Sequence, residues 1–129
     1  PGGYAEHDEV LSLAVEREVQ EEAGIVATVS DVVAFRHALA GSSGGPSTNV
    51  YFIFRLNYVS GEPQHDGDEI AAAGFYTLDE MEDIEGVQGL SKWGIRQVLG
   101  SKSGSGLSVT SMGDPNTWQI YGLGEGDSR

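Results

Sequence analysis

The sequence contains no cysteine, which excludes disulfides and thiolate metal sites and fits a reducing compartment. Basic side chains are scarce: seven Lys and Arg stand against twenty Asp and Glu, for a net charge of −13. Those cations are scattered, and so acidic a surface repels nucleic-acid backbones, so no nucleic-acid partner is expected. No apolar run approaches the length of a membrane span. The first residues lack the basic patch and apolar run of a secretory signal. The expectation is a cytoplasmic protein without a membrane partner. A polyanionic substrate stays open to such a chain if divalent cations screen the carboxylates.

What is present suits one domain. The 129 residues are enough for one real core but not two. Asp8 is placed to cap a helix over 8–23, with Gly24 as its stop. Residues 25–38 are β-rich, with a break expected near Ser30-Asp31, and GSSGGPST (41–48) reads as a loop. NVYFIFRLNYV (49–59) is the clearest strand; a central position is expected for it, with Tyr51, Phe52 and Phe54 mostly in the core. A polar loop (60–69), a short strand (70–78), a turn or short helix (78–84) and an amphipathic helix (89–100) anchored by Trp93 follow. GSKSGSG (100–106) has the composition of a flexible linker, and 107–112 and 117–123 each suit a strand. Strands mixed with one or two helices indicate an α/β or α+β class, and there is no internal repeat.

The acid groups of the first helix run against local preference. At about 100° per residue, Leu11, Ala14 and Val15 lie within roughly 60° of Glu18, and so do Glu21 and Glu22, one on each side. Glu16 and Gln20 point to the expected solvent face. The three carboxylates therefore continue the apolar stripe. At spacings i, i+3 and i+4 they repel one another, and they sit near a helix C-terminus, where negative charge is disfavoured. A hard divalent cation resolves the conflict, because it takes carboxylate oxygens. The plainer reading is a solvated acidic helix end.

The stretch from Gly3 to Ile25 resembles the Nudix box, G-x5-E-x7-R-E-U-x-E-E-x-G-U, where U is apolar. Gly3, Glu9, Arg17, Glu18, Val19, Glu21, Glu22, Gly24 and Ile25 fill its specified positions. The later order of strand, loop, strand, DEIAAAGFYTLDEM and helix is similar too, less specifically. The resemblance implies an α/β/α sandwich around a mixed sheet. It implies hydrolysis of a nucleoside diphosphate linked to another moiety, with water attacking the diphosphate and Mg2+ or Mn2+ assisting.

Carried over by position, the resemblance makes Glu18, Glu21, Glu22 and the backbone carbonyl of Gly2 the metal ligands. Arg17 would hold a box glutamate in position, and Glu9 would be a supporting acid. The base that takes the water's proton would be a box carboxylate, Glu21 or Glu22, or else Glu69, with Asp68 and Asp66 as rivals. HDGDE (65–69) reads equally well as a hydrophilic loop. Arg36 suits a phosphate contact, or else is an exposed strand-end cation. FRHA and DEIAAAGFY are loosely similar to hydrolases of nucleotide sugars and dinucleotides, which points to ADP-ribose or an NADH-like substrate. The alternative is a non-catalytic Nudix-like module that senses a nucleotide and regulates a partner.

Nudix domains place strands before the box, and here the box opens at residue 3. The preferred expectation is a longer polypeptide carrying those strands. The other is that 107–123 supplies them, by permutation or by exchange between the subunits of a homodimer. The expected layout is a single domain over 1–129: box loop and helix (1–25), sheet and helix (26–99), linker (100–106) and C-terminal extension (107–129).

Overall fold

A computed structural model of the chain describes residues 6, 8–42, 45–64, 74–83, 89–114 and 117–123, of which 40–42 and 45–48 are described by backbone alone. The first helix, α1, spans Leu11–Ala23. It starts later than expected. Val10 is its N-cap, without a side-chain cap bond, and Asp8 lies in a turn closed by the Glu9 N–H on the Glu6 carbonyl at 3.3 Å. The stop falls at Gly24, which adopts φ +72° and donates to the Gln20 carbonyl. That left-handed conformation suits glycine. The last turn of α1 is also covered from outside, because the Gln64 N–H donates to the Ala23 carbonyl at 2.7 Å.

Strands β1 (Val26–Ser42) and β2 (Gly45–Ser60) form a long antiparallel hairpin. GSSGGPST was expected to be a loop. Its ends instead continue the ladder, with Ser42 opposite Gly45. Backbone pairing needs no particular side chain, so small residues extend a hairpin that their composition alone disguises. The break expected near Ser30-Asp31 is a shift of register between Val29 and Asp31, with a second between Val32 and Ala34. An unbroken strand sends neighbours to opposite faces. Between these irregularities both Asp31 and Val32 are buried.

Phe54 is half-buried, whereas Tyr51 and Phe52 are exposed rather than in the core. Residues 70–73 of the expected strand lie outside the described residues, and 74–77 carry no regular structure. A short helix, α2 (Leu78–Glu82), begins with a reciprocal capping box between Thr77 and Glu80 and buries Met81. Helix α3 (Gly89–Leu99) meets β2 through Gly94, where an added Cβ would lie 3.0 Å from Ile53 Cδ1. Glycine, not Trp93, makes the close approach; Trp93 is exposed.

A second antiparallel hairpin, β3 (Ser108–Asp114) with β4 (Trp118–Gly122), follows α3. It joins β1 through a two-bond bridge: Val32 donates to the Leu107 carbonyl at 2.7 Å, and Leu107 donates back at 3.1 Å. Both ladders among the described residues are antiparallel. Helices with antiparallel sheets make the class α+β. Among the described residues the buried apolar side chains are Ala14, Ile25, Ala27, Val32 and Met81; α1 packs on β1, and α2 packs on α3.

Candidate functional site

The acid groups of α1 are organised around one cation. Arg17 donates Nε to Glu9 Oε2 at 3.0 Å and Nη2 to Glu9 Oε1 at 2.7 Å. Its remaining nitrogen, Nη1, lies 3.1 Å from Glu18 Oε1 and 3.0 Å from Glu21 Oε2. One guanidinium therefore reaches four carboxylates, the fourth being Glu6, whose Oε1 lies 3.9 Å from Nη2. Its planar fork matches the two oxygens of Glu9, which a lysine cannot do. Hydrogen bonds from Arg17 and from the Glu6 N–H hold the Glu9 carboxyl below its ordinary range. In return Glu9, and then Glu21 and Glu18, push the guanidinium pKa further up, so it stays charged.

Burial separates the three box carboxylates. Glu22 is 8% exposed, while the side chains of Glu18 and Glu21 are 17% and 60% exposed. The line therefore runs from the packed base of the hairpin out into solvent. No three His, Cys, Asp or Glu among the described residues already converge as a metal cluster. The donor chemistry nevertheless suits a hard divalent cation, which takes oxygen ligands. Arg17 takes one oxygen of Glu18 and one of Glu21, and a carboxylate carries two, so each can serve a guanidinium and a cation together.

The opposite side of α1 differs from expectation. Glu16 does not point to solvent. It is half-buried and accepts the Val29 N–H at 2.9 Å, fixing the helix to the start of β1. One turn earlier, Ser12 Oγ accepts from Gln119 Nε2 at 2.9 Å, and Gln119 Oε1 accepts from the Tyr121 hydroxyl at 3.0 Å. Burial first, and the charge of Glu16 as well, raise the Tyr121 pKa against hydrogen bonding from Ser12. A depression of about 390 Å³ lies between Ser12, Glu16, Val29, Ser108 and Gln119.

Other candidates are spread out. Arg36 is exposed on the first hairpin; it donates Nη2 to Asn49 Oδ1 at 2.7 Å and sits 5.3 Å from the Tyr51 ring centre. His37 is exposed. Gly2, Gly3, His65, Asp66, Asp68 and Glu69 lie outside the described residues.

The sequence reading missed the pair Asp31 and Arg55. Asp31 is 0% exposed and accepts from Arg55 Nε at 2.9 Å, from the Gly106 N–H at 2.8 Å and from the Gly104 N–H at 3.3 Å. Arg55 continues to the Val98 carbonyl at 2.6 Å and to the Ser101 carbonyl and hydroxyl at 2.9 and 2.8 Å. Burial would raise the Asp31 pKa, but hydrogen bonds from Arg55, Ser30 and the two glycine amides outweigh it and hold the carboxyl low. The available signal was one charge in each of two apolar strands, SDVVAF and FIFRLNY.

No helix among the described residues is long and apolar enough to cross a membrane. No curated protein matches the chain. A family model described as NUDIX domain matches residues 1–95.

Proposed function

The chain belongs to the Nudix family, and on that premise we propose that it is a divalent-metal-dependent hydrolase of a nucleoside diphosphate linked to another moiety. The observation that carries this reading is the gathering of Glu9, Glu18 and Glu21 around one cationic group on α1, with Glu22 buried on the same line. A stretch that collects carboxylates in a protein of net charge −13 works on an anionic substrate only with cations between them.

Glu18, Glu21, Glu22 and the Gly2 carbonyl would hold Mg2+ or Mn2+. When bound, the metal polarises phosphoryl oxygens and lowers the pKa of water. Arg17, fixed by its fork on Glu9, keeps Glu18 and Glu21 from swinging away. A box carboxylate, Glu21 or Glu22, or Glu69 takes the proton of the attacking water. Arg36 is placed in this reading as a phosphate contact, released from Asn49 to reach substrate. ADP-ribose or an NADH-like dinucleotide is the favoured substrate, and a cytoplasmic homodimer the favoured form.

The test is turnover by the full chain of a panel of nucleoside diphosphate compounds, including ADP-ribose and NADH, with and without Mg2+ or Mn2+. The expected result is metal-dependent phosphate-ester products and a loss of about a hundredfold or more in Glu22→Gln, which keeps shape and removes charge. No turnover of any compound, or a Glu22→Gln variant as active as the parent, overturns the reading. Tight nucleotide binding without turnover favours a nucleotide-sensing module instead.

A further inference from the structure

Helix α1 carries acid groups on two sides. At 100° per residue Glu16 lies about 160° round the helix from Glu18, so it belongs to a different surface from the box carboxylates. Its side chain is half-buried, and one oxygen, Oε2, accepts the Val29 N–H at 2.9 Å. Among the described residues its other oxygen has no partner, and no Lys, Arg or His pairs with it. Arg17, the adjoining cation, is taken by Glu9, Glu18 and Glu21. A charge drawn partly out of water without a counter-charge is unfavourable.

This carboxylate borders the depression of about 390 Å³ between α1 and the second hairpin. The volume falls within the range of small-molecule sites. Leu13, Val29 and Val109 give it apolar walls, and among the described residues Glu16 is the one charged group that lines it. The neutral polar groups of the lining are held in place. Gln119 Nε2 donates to Ser12 Oγ at 2.9 Å, and the Tyr121 hydroxyl fixes Gln119 from its other side at 3.0 Å. The depression therefore combines apolar walls, one anion and no cation.

We propose that this depression is a second binding site, for a small organic monocation: an ammonium group on a short apolar body. The ammonium lies against the second oxygen of Glu16, and the body lies against Leu13, Val29 and Val109. Charge selects the class. An anion meets a carboxylate here with no cation to offset the repulsion. A divalent metal takes several oxygen ligands and finds a single carboxylate. A wholly apolar ligand covers Glu16 and leaves it unpaired. The net charge of −13 also raises the local concentration of cations. Glu16 and the box carboxylates face apart, so the ligand is an accessory molecule and not the substrate. The assignment does not depend on hydrolysis.

Amide chemical shifts of the full chain during titration with butylammonium chloride test it. The titration is run in about 0.15 M NaCl, where general attraction to the acidic surface is screened. Saturable shifts are expected at Val29, Ser30 and Val109. Butanol and butyrate, the neutral and anionic counterparts, should give none. Glu16→Gln keeps an oxygen for the Val29 N–H and should weaken binding about tenfold or more, as loss of a partly desolvated charge pair does. Val109→Phe, at a 40% exposed position of β3, fills the depression and should weaken binding with Glu16 intact. Glu22→Gln should bind as the parent does. Nα-acetyl-lysine amide separates the two sources of such a group: tighter binding than butylammonium assigns a partner's lysine, and equal or weaker binding a free amine. Absence of any saturable shift overturns the proposal. So does equal binding of butanol or butyrate, parent-like binding in Glu16→Gln, or shifts confined to residues 18–22.

Discussion

Arg17 grips Glu9 across eight residues of chain with both ends of its fork, at 3.0 and 2.7 Å, and so ties the turn before α1 to the second turn of the helix. The helix has no side-chain cap of its own at Val10. Its entry is set by this pair instead, and the same guanidinium reaches on to Glu18 and Glu21.

Replacing that fork by a point charge should therefore damage the site more than the fold. Arg17→Lys keeps a cation but loses two-pronged geometry. The expectation is a loss of roughly 10–100-fold in Mg2+ affinity, the size typical of removing a group that orients metal ligands. Calorimetric titration of the metal, with far-UV dichroism as the check on folding, measures it. Affinity equal to the parent would show that Arg17 does not position Glu18 and Glu21.

The pair of Asp31 and Arg55 should dominate single-site stability. Asp31→Ala leaves a buried guanidinium without its counter-ion, and breaking such a pair costs about 3–5 kcal/mol. Urea unfolding reports it. The double variant Asp31→Leu with Arg55→Met should recover much of the loss, because it removes both charges and fills the space. A single variant within about 1 kcal/mol of the parent contradicts the assignment.

The same carboxyl sets an acid limb. Its folded-state pKa is lowered, so it stabilises the fold above the ordinary carboxylate range and loses that contribution as pH falls through the folded value. Glu9 is shifted in the same direction and adds with the same sign. Urea midpoints should fall between about pH 5 and about pH 2, and fall less steeply in Asp31→Asn, which no longer titrates. An identical acid limb in that variant would assign the loss to other groups.

Gly106 should tolerate no side chain. A Cβ there would strike the Val32 carbonyl oxygen and lie 2.7 Å from Asp31 Oδ2. Gly106→Ala should cost about 1–3 kcal/mol, as overpacking does, and should speed hydrogen exchange across β3 and β4. Gly89→Ala, with nothing within 4 Å, serves as the control and should stay within about 0.5 kcal/mol. Equal effects of the two would mean that the close approach at Val32 is not a constraint.

Period and punctuation made much of this architecture legible. The 3.6-residue repeat located α1 and its acid line, Gly24 located the stop, and β-branched and aromatic residues located β2. The errors came where pairing or long-range contact overrides local composition. Asp8 resembles a cap, but the adjoining Glu9 is taken by Arg17 and the helix starts at Leu11. Glu16 falls on the polar side of the wheel, yet the Val29 N–H needs an acceptor there. Residues 100–106 look like linker because their composition is small and polar; the groups that bind Gly104 and Gly106 lie on β1, over seventy residues away. No local window contains both halves of such a contact.

That separation has a consequence for how the protein is made. The hydrogen bond from Gly106 to Asp31 spans 75 residues. At a synthesis rate of about 5–20 residues per second, Asp31 waits roughly 4–15 s for it. Arg55 arrives far sooner and can neutralise Asp31 in the meantime. A nascent chain thus passes through an interval in which Arg55 is available to Asp31 while the segment that seals the pair has yet to emerge.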